Sequence, residues 1–77
     1  TLKRENLKRF RVGQGLTQDE MAKKLEISLS HYKNIELGTY DPSFGFMVRF
    51  GEVFKGKYDD IWDLFYNDKD VSKRQQN

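Results

Sequence analysis

The side chains best suited to chemistry are the hydroxyl, amide and ammonium groups between Leu16 and Gly38. Such groups donate and accept hydrogen bonds and can hold anions. The sequence offers no paired carboxylates for acid-base catalysis, no nucleophile-base arrangement and no phosphate-binding loop. We therefore expect recognition of a polar partner, and no enzyme activity.

Two residue counts limit metal and cofactor chemistry. The chain has no cysteine, which excludes disulfides, thiolate metal sites and a cysteine nucleophile. A single histidine, His31, excludes a cluster of imidazole ligands. We expect neither metal nor cofactor. His31 itself has two interpretations, an exposed residue without a role or a phosphate donor that titrates near neutral pH.

Two helix start signals stand close together in this segment. Thr17 and Glu20 have the capping-box spacing, and Ser28 supplies a second cap. Each cap is flanked by an apolar pair at the hydrophobic-staple spacing, Leu16 with Met21 and Ile27 with Tyr32. Two short helices joined by a tight turn are therefore predicted, an arrangement typical of DNA-binding helix-turn-helix units.

The remaining pattern predicts an all-α, compact five-helix bundle in which helices two and three form the helix-turn-helix. The predicted helices cover residues 2–12, residues from 17 onward, and residues 29–37, 44–54 and 58–66. Residues 1–66 form the domain, and residues 67–77 form a polar tail expected to be flexible.

Periodicity selects the candidate core residues. They are Leu2, Leu7, Phe10, Met21, Ala22, Leu25, Tyr32, Ile35, Glu36, Phe44, Met47, Val48, Phe50 and Phe54. Gly51 lies inside the fourth helix, and we expect it to mark a close helix crossing rather than a break.

Charge is unevenly distributed along the chain. Residues 1–24 carry seven basic and three acidic side chains, whereas residues from 52 onward carry five and six. The basic end favours a polyanionic partner, and the alternative is an ordinary solvated helix surface. There is no apolar run long enough to span a membrane and no signal peptide, so a soluble cytoplasmic protein without membrane association is expected.

Six motifs follow one another in order with short connections. They are Leu7…Phe10-Arg11, Gly15-Leu16-Thr17-Gln18-x-Glu20-Met21-Ala22-x-x-Leu25, Ile27-Ser28, Ile35-Glu36-x-Gly38, Pro42-Ser43-Phe44 and Tyr58-Asp59-Asp60-Ile61. Together, residues 7–62 resemble the lambda-repressor-like helix-turn-helix family, the Cro/repressor or XRE type. The resemblance implies a sequence-specific, double-stranded DNA-binding transcription regulator of a prokaryote or phage, most simply a repressor.

The resemblance also implies roles for individual residues. The positions that reach bases or nearby phosphates are Ser28, Leu29, Ser30, Lys33 and Asn34, and those that contact phosphate are Thr17, Gln18, Thr39 and Tyr40. Asn34 suits adenine, and Leu29 suits either a thymine methyl or a partly buried helix start. Arg11 and Glu36 match a structural salt bridge between the first and third helices.

Two residues depart from the family pattern, and a third weakens an implied contact. Glu26 replaces a turn glycine that needs positive φ, so a slightly altered turn is expected. Leu29 replaces a common Arg or Gln and leaves Lys33 as the one firm cation on the outer face, which predicts modest DNA affinity. Asp41 disfavours phosphate contact by the loop at Thr39 and Tyr40.

The fifth helix contains more apolar residues than one buried face needs. Ile61, Trp62, Leu64, Phe65 and Tyr66 fill five of six positions, and they predict a homodimer on a near-palindromic operator. Alternatively, Trp62 and Phe65 cap the core beside Phe10 and Phe54. A second functional interpretation is an antitoxin, another protein-interaction module, or the N-terminal domain of a larger regulator, with a protein partner at this helix.

Overall fold

A computed structural model describes residues 3–66, and within this range the backbone forms five helices and no strand. The helices are α1 (Glu5–Gly13), α2 (Gln18–Leu25), α3 (Leu29–Leu37), α4 (Phe44–Val53) and α5 (Ile61–Phe65). The all-α, five-helix prediction is confirmed. None of these helices is long and apolar enough to cross a membrane. Our predictions for Leu2 and residues 67–77 lie outside the described residues.

Side-chain caps start the two central helices where the sequence predicts them. The Thr17 hydroxyl accepts from the Glu20 backbone N–H at 3.1 Å, and the Thr17 N–H donates to the Glu20 carboxylate at 2.9 Å. The Ser28 hydroxyl accepts from the His31 backbone N–H at 3.1 Å. These bonds satisfy N–H groups that a helix start would otherwise leave without partners.

The first and last helices start three residues later than predicted. Arg4 precedes α1 with non-helical dihedrals, and its backbone N–H donates to the Glu36 carbonyl at 2.7 Å. Asp60 precedes α5 in extended conformation, and its carboxylate accepts from the Trp62 N–H at 2.9 Å. A hydrogen bond to α3 therefore fixes the start of α1, and a local cap fixes the start of α5. The other predicted helix boundaries agree with the structure within one residue.

An aromatic cluster fills the centre of the core. Phe50 is fully buried, and its ring lies within 6.2 Å, between centroids, of five other rings: Phe10, Phe46, Phe54, Tyr58 and Phe65. Leu7, Met21, Tyr32 and Ile35 are likewise fully buried beside it. The core therefore holds α1 against α4 and α5 and supports the inner faces of α2 and α3.

Two core predictions on α4 are wrong. Phe44 is 84% exposed and Val48 is 44% exposed. The inward positions are Phe46, Phe50 and Phe54, which recur every fourth residue along one face. Phe46 had not been predicted, and Met47 lies half-buried beside the core.

As predicted, Gly51 does not interrupt α4. Its nearest neighbour, however, does not belong to a crossing helix. A Cβ atom built on Gly51 would lie 3.4 Å from the Tyr58 hydroxyl. Tyr58 belongs to the link between α4 and α5. The nearest neighbour of Gly51 is therefore this link rather than a crossing helix, and a Cβ there would make only an ordinary van der Waals contact.

Candidate nucleic-acid interface

The turn between α2 and α3 keeps left-handed geometry without a glycine. Glu26 has φ 61° and ψ 41°, and the Ile27 N–H donates to the Ala22 carbonyl at 3.0 Å. A left-handed residue with a Cβ is strained relative to glycine. The Glu26 carboxylate pairs with the Arg49 guanidinium of α4 at 2.8 Å, which gives this side chain a partner of its own.

Helix α3 separates a buried inner face from a polar outer one. Tyr32, Ile35 and Glu36 are buried. The five residues expected to face DNA are exposed or half-buried: Ser28, Ser30 and Lys33 are exposed, and Leu29 and Asn34 are half-buried. The structure thus presents all five around the outer side of one short helix, with Lys33 as its single ammonium group.

Two of these side chains already have local partners. The Ser28 hydroxyl acts as the cap of α3, and its own hydrogen remains available for donation. The Asn34 amide donates to the Ser30 carbonyl at 2.9 Å. The amide has two N–H donors and a carbonyl oxygen, so the oxygen and one N–H have no partner within the described residues.

The start of α2 offers backbone donors. The Thr17 hydroxyl and carbonyl accept from the Glu20 and Met21 N–H groups, so the N–H groups of Gln18 and Asp19 have no acceptor within the described residues. Free N–H groups at a helix start attract anions. The Gln18 side-chain amide donates to the Glu36 carboxylate at 3.0 Å, so this side chain links the anion-attracting end of α2 to α3.

The loop after α3 uses its backbone donors internally. The N–H groups of Thr39 and Tyr40 both donate to the Asn34 carbonyl, at 2.9 and 3.2 Å, where Gly38 (φ 84°) reverses the chain. These N–H groups are therefore not free for phosphate. Both side chains are exposed, and the Tyr40 ring lies 5.5 Å from the His31 ring.

A buried polar network fixes α3 against α1 and α2. The Arg11 Nε atom donates to Glu36 Oε2 at 2.6 Å, and the Tyr32 hydroxyl donates to the same oxygen at 2.5 Å. Arg11 also donates to the Leu16 carbonyl at 2.8 Å, immediately before α2. The expected Arg11–Glu36 pair is therefore present and extended by a third buried side chain.

Burial and this pairing shift two pKa values upward. Desolvation chiefly, followed by the hydrogen bond to Glu36, raises the pKa of the Tyr32 hydroxyl. The hydrogen bond to Glu36 raises the pKa of Arg11 against the opposing effect of burial. Tyr32 stays a neutral donor and Arg11 a cation at neutral pH, so the network is fully formed there.

Arg4 is a positioning residue that sequence reasoning missed. Its guanidinium is buried and donates to the carbonyls of Ile35 (2.7 Å), Tyr40 (3.0 Å) and Phe65 (2.9 Å). It also pairs with Asp41 at 3.0 Å. One side chain thus joins the end of α3, the following loop and α5, and it offsets the Asp41 charge that we expected to repel phosphate.

The predicted dimer residues on α5 fall into two groups. Leu64 and Phe65 are buried in the core, so their assignment to a dimer interface is wrong. Trp62 is 60% exposed, and its ring lies 4.8 Å from that of the half-buried Tyr66. Ile61 is also half-buried. The apolar surface on this helix is therefore limited to Ile61, Trp62 and Tyr66.

Comparisons with known proteins agree with this geometry. The family model described as a helix-turn-helix domain matches residues 5–61. An uncharacterized HTH-type transcriptional regulator of Methanocaldococcus jannaschii is 37% identical over 59 residues, which are 77% of this chain and 89% of the relative. The uncharacterized HTH-type transcriptional regulator YqaF of Bacillus subtilis is 38% identical over 65 residues, which are 84% of this chain and 80% of the relative. No solved structure matches the chain. The chain therefore belongs to the XRE-type helix-turn-helix domain family.

Proposed function

We propose that this chain is a sequence-specific, double-stranded DNA-binding transcription regulator that places α3 in the major groove, and that it acts as a repressor. Family membership and the names of the relatives support DNA-binding regulation. The observation that carries the proposal is the outer face of α3, whose polar residues project from a helix held by the Arg11–Glu36 pair. A short helix of this kind fits the major groove.

Base contacts are assigned to the outer side of α3. Ser28, Leu29 and Ser30 lie in the cap and first turn, the part of a recognition helix that contacts base edges. Asn34 makes a two-pronged contact with adenine through its amide carbonyl oxygen and one N–H. Lys33 contributes a phosphate contact beside them.

Phosphate contacts are assigned to both sides of α3. The free N–H groups at Gln18 and Asp19, together with the Thr17 and Gln18 side chains, hold the backbone on one side. On the other side the contact comes from the hydroxyls of Thr39 and Tyr40, since their N–H groups are already bonded.

A symmetric homodimer through Ile61, Trp62 and Tyr66 completes the proposal. An exposed tryptophan beside a tyrosine is an apolar surface suited to burial against a second copy. Two copies would present their α3 helices to half-sites about one DNA turn, roughly 34–36 Å, apart on a near-palindromic operator. The same exposed tryptophan favours the second candidate function, a protein-interaction module such as an antitoxin, in which another protein covers this surface.

Selection of bound sequences from random double-stranded DNA tests these proposals. The selected operator is then titrated at several salt concentrations. A regulator is expected to yield one preferred site, with log affinity falling against log salt by about 0.9 for each phosphate contacted. Weak binding to all sequences would instead favour the protein-interaction function. Light scattering tests the dimer, and a monomeric mass both free at tens of micromolar and on the operator would overturn it.

A further inference from the structure

A cleft of about 330 Å³ opens between the start of α1, the start of α2 and the second half of α3. Its charged lining comprises Lys3, Arg4, Lys8, Lys33, Glu5 and Glu36. Two of these six charges are already matched inside the protein. Arg11 pairs with Glu36 at 2.6 Å, and Asp41 pairs with Arg4 at 3.0 Å.

Three lysines therefore dominate the cleft. Lys3, Lys8 and Lys33 are exposed, and none of them forms an ion pair with another residue in the 3–66 range. Glu5 is the single remaining acid of the lining. Positive charges gathered around a concave surface produce a focused positive potential. Such a surface suits an anion.

The cleft is continuous with the surface assigned to DNA. Gln18, at the anion-attracting start of α2, lies in the cleft wall, and Lys33 projects from the outer face of α3. Lys3 and Lys8 extend this surface to the start of α1, beyond the outer face of α3 to which base contacts are assigned.

We propose that this cleft binds the phosphate backbone of DNA through the ammonium groups of Lys3, Lys8 and Lys33. The inference rests on the proposed function and adds Lys3, which precedes α1, and Lys8 of α1 to its phosphate contacts. It also supplies cations that the outer face of α3 lacks. Because phosphate contacts carry no base information, the cleft strengthens binding to every sequence alike.

The test is the salt dependence of operator binding by the double variant Lys3→Gln/Lys8→Gln. Each lost ammonium-phosphate contact makes the slope of log affinity against log salt shallower by about 0.9. Because one contact contributes to affinity as about the −0.9 power of the salt concentration, its loss weakens binding about 8-fold at about 0.1 M salt. The double variant is therefore expected to lose about 1.8 in slope and to bind about 60-fold more weakly, with the same order of preference among sequences.

The matched control is Lys55→Gln/Lys57→Gln, which removes the same charge from the link between α4 and α5. Thermal melting verifies that both variants are folded. If the two double variants weaken binding equally, the cleft proposal is overturned while the proposed function stands. If the wild-type protein selects no operator, the proposed function fails, and the cleft proposal fails with it.

Inorganic phosphate distinguishes a free ligand from the DNA backbone. Amide resonances around the cleft are followed by NMR as phosphate is added to wild-type protein and to the double variant. Millimolar saturation that the double variant abolishes, combined with control-like operator binding by that variant, would identify a site for a free phosphate compound and overturn the DNA assignment.

Discussion

Replacing Glu36 by alanine tests whether the buried network holds α3 in place. The carboxylate is 6% exposed and accepts from Arg11 (2.6 Å), Tyr32 (2.5 Å) and Gln18 (3.0 Å). The Glu36→Ala variant leaves the Arg11 guanidinium buried without a counter-charge, and the Tyr32 hydroxyl loses its acceptor.

The expected loss is large for a domain of this size. Breaking a buried ion pair by removing one partner costs about 3–5 kcal/mol. A small domain has only about 5–15 kcal/mol in total. Since 1 kcal/mol shifts the melting temperature of such a domain by about 4–8 °C, Glu36→Ala should melt at least about 12 °C below the wild-type protein.

Urea and thermal unfolding followed by circular dichroism measure this effect. The matched control is Glu52→Ala, which removes an exposed carboxylate of α4 and should change stability by less than about 0.5 kcal/mol. The double variant Arg11→Met/Glu36→Leu removes both charges and should recover much of the loss. A Glu36→Ala variant within about 0.5 kcal/mol of the wild-type protein would refute the structural role of the pair.

Three further predictions concern single positions. Because the raised pKa of Tyr32 means that the folded state holds its proton more tightly, the resulting stability is complete below its ordinary pKa of 10.0 and declines above it. Urea unfolding should therefore show a larger stability loss between pH 8 and about pH 11 in the wild-type protein than in Tyr32→Phe, and equal losses would contradict this. Glu26→Gly should raise the melting temperature by relieving about 1 kcal/mol of left-handed strain, less a small contribution from the exposed Arg49 pair, and a lower melting temperature would argue against strain. Phe44→Ala should cost less than about 0.5 kcal/mol in urea unfolding, whereas Phe46→Ala should cost about 3–5 kcal/mol, and similar losses would mean that the helical phase is misassigned.

Local signals in the sequence were sufficient for the helix-turn-helix itself. The caps at Thr17 and Ser28 act between residues three apart, so they could be predicted without knowledge of the tertiary structure. The inner and outer faces of α3 followed from the same helical period. The resemblance additionally supplied the Arg11–Glu36 pair, which no local pattern indicates.

The features that the sequence did not predict depend on tertiary contacts. Seven of the eleven residues from 44 to 54 are apolar, so the sequence could not define which face of α4 is buried. On α5, a run of apolar residues likewise did not separate buried Phe65 from exposed Trp62. Arg4 becomes buried only because partners 31 and 61 residues away close around it.

The base preference of Asn34→Ala tests the central claim, that α3 reads DNA in the major groove. Wild-type protein, Asn34→Ala and Lys33→Ala are each used to select sites from the same pool of random double-stranded DNA. Asn34→Ala should relax one base position by about 1–3 kcal/mol and leave the others unchanged, whereas Lys33→Ala should weaken all sites alike. An Asn34→Ala profile identical to that of the wild-type protein at every position would contradict base reading by this residue, and unchanged profiles for matching substitutions at Ser28, Leu29 and Ser30 would contradict the placement of α3.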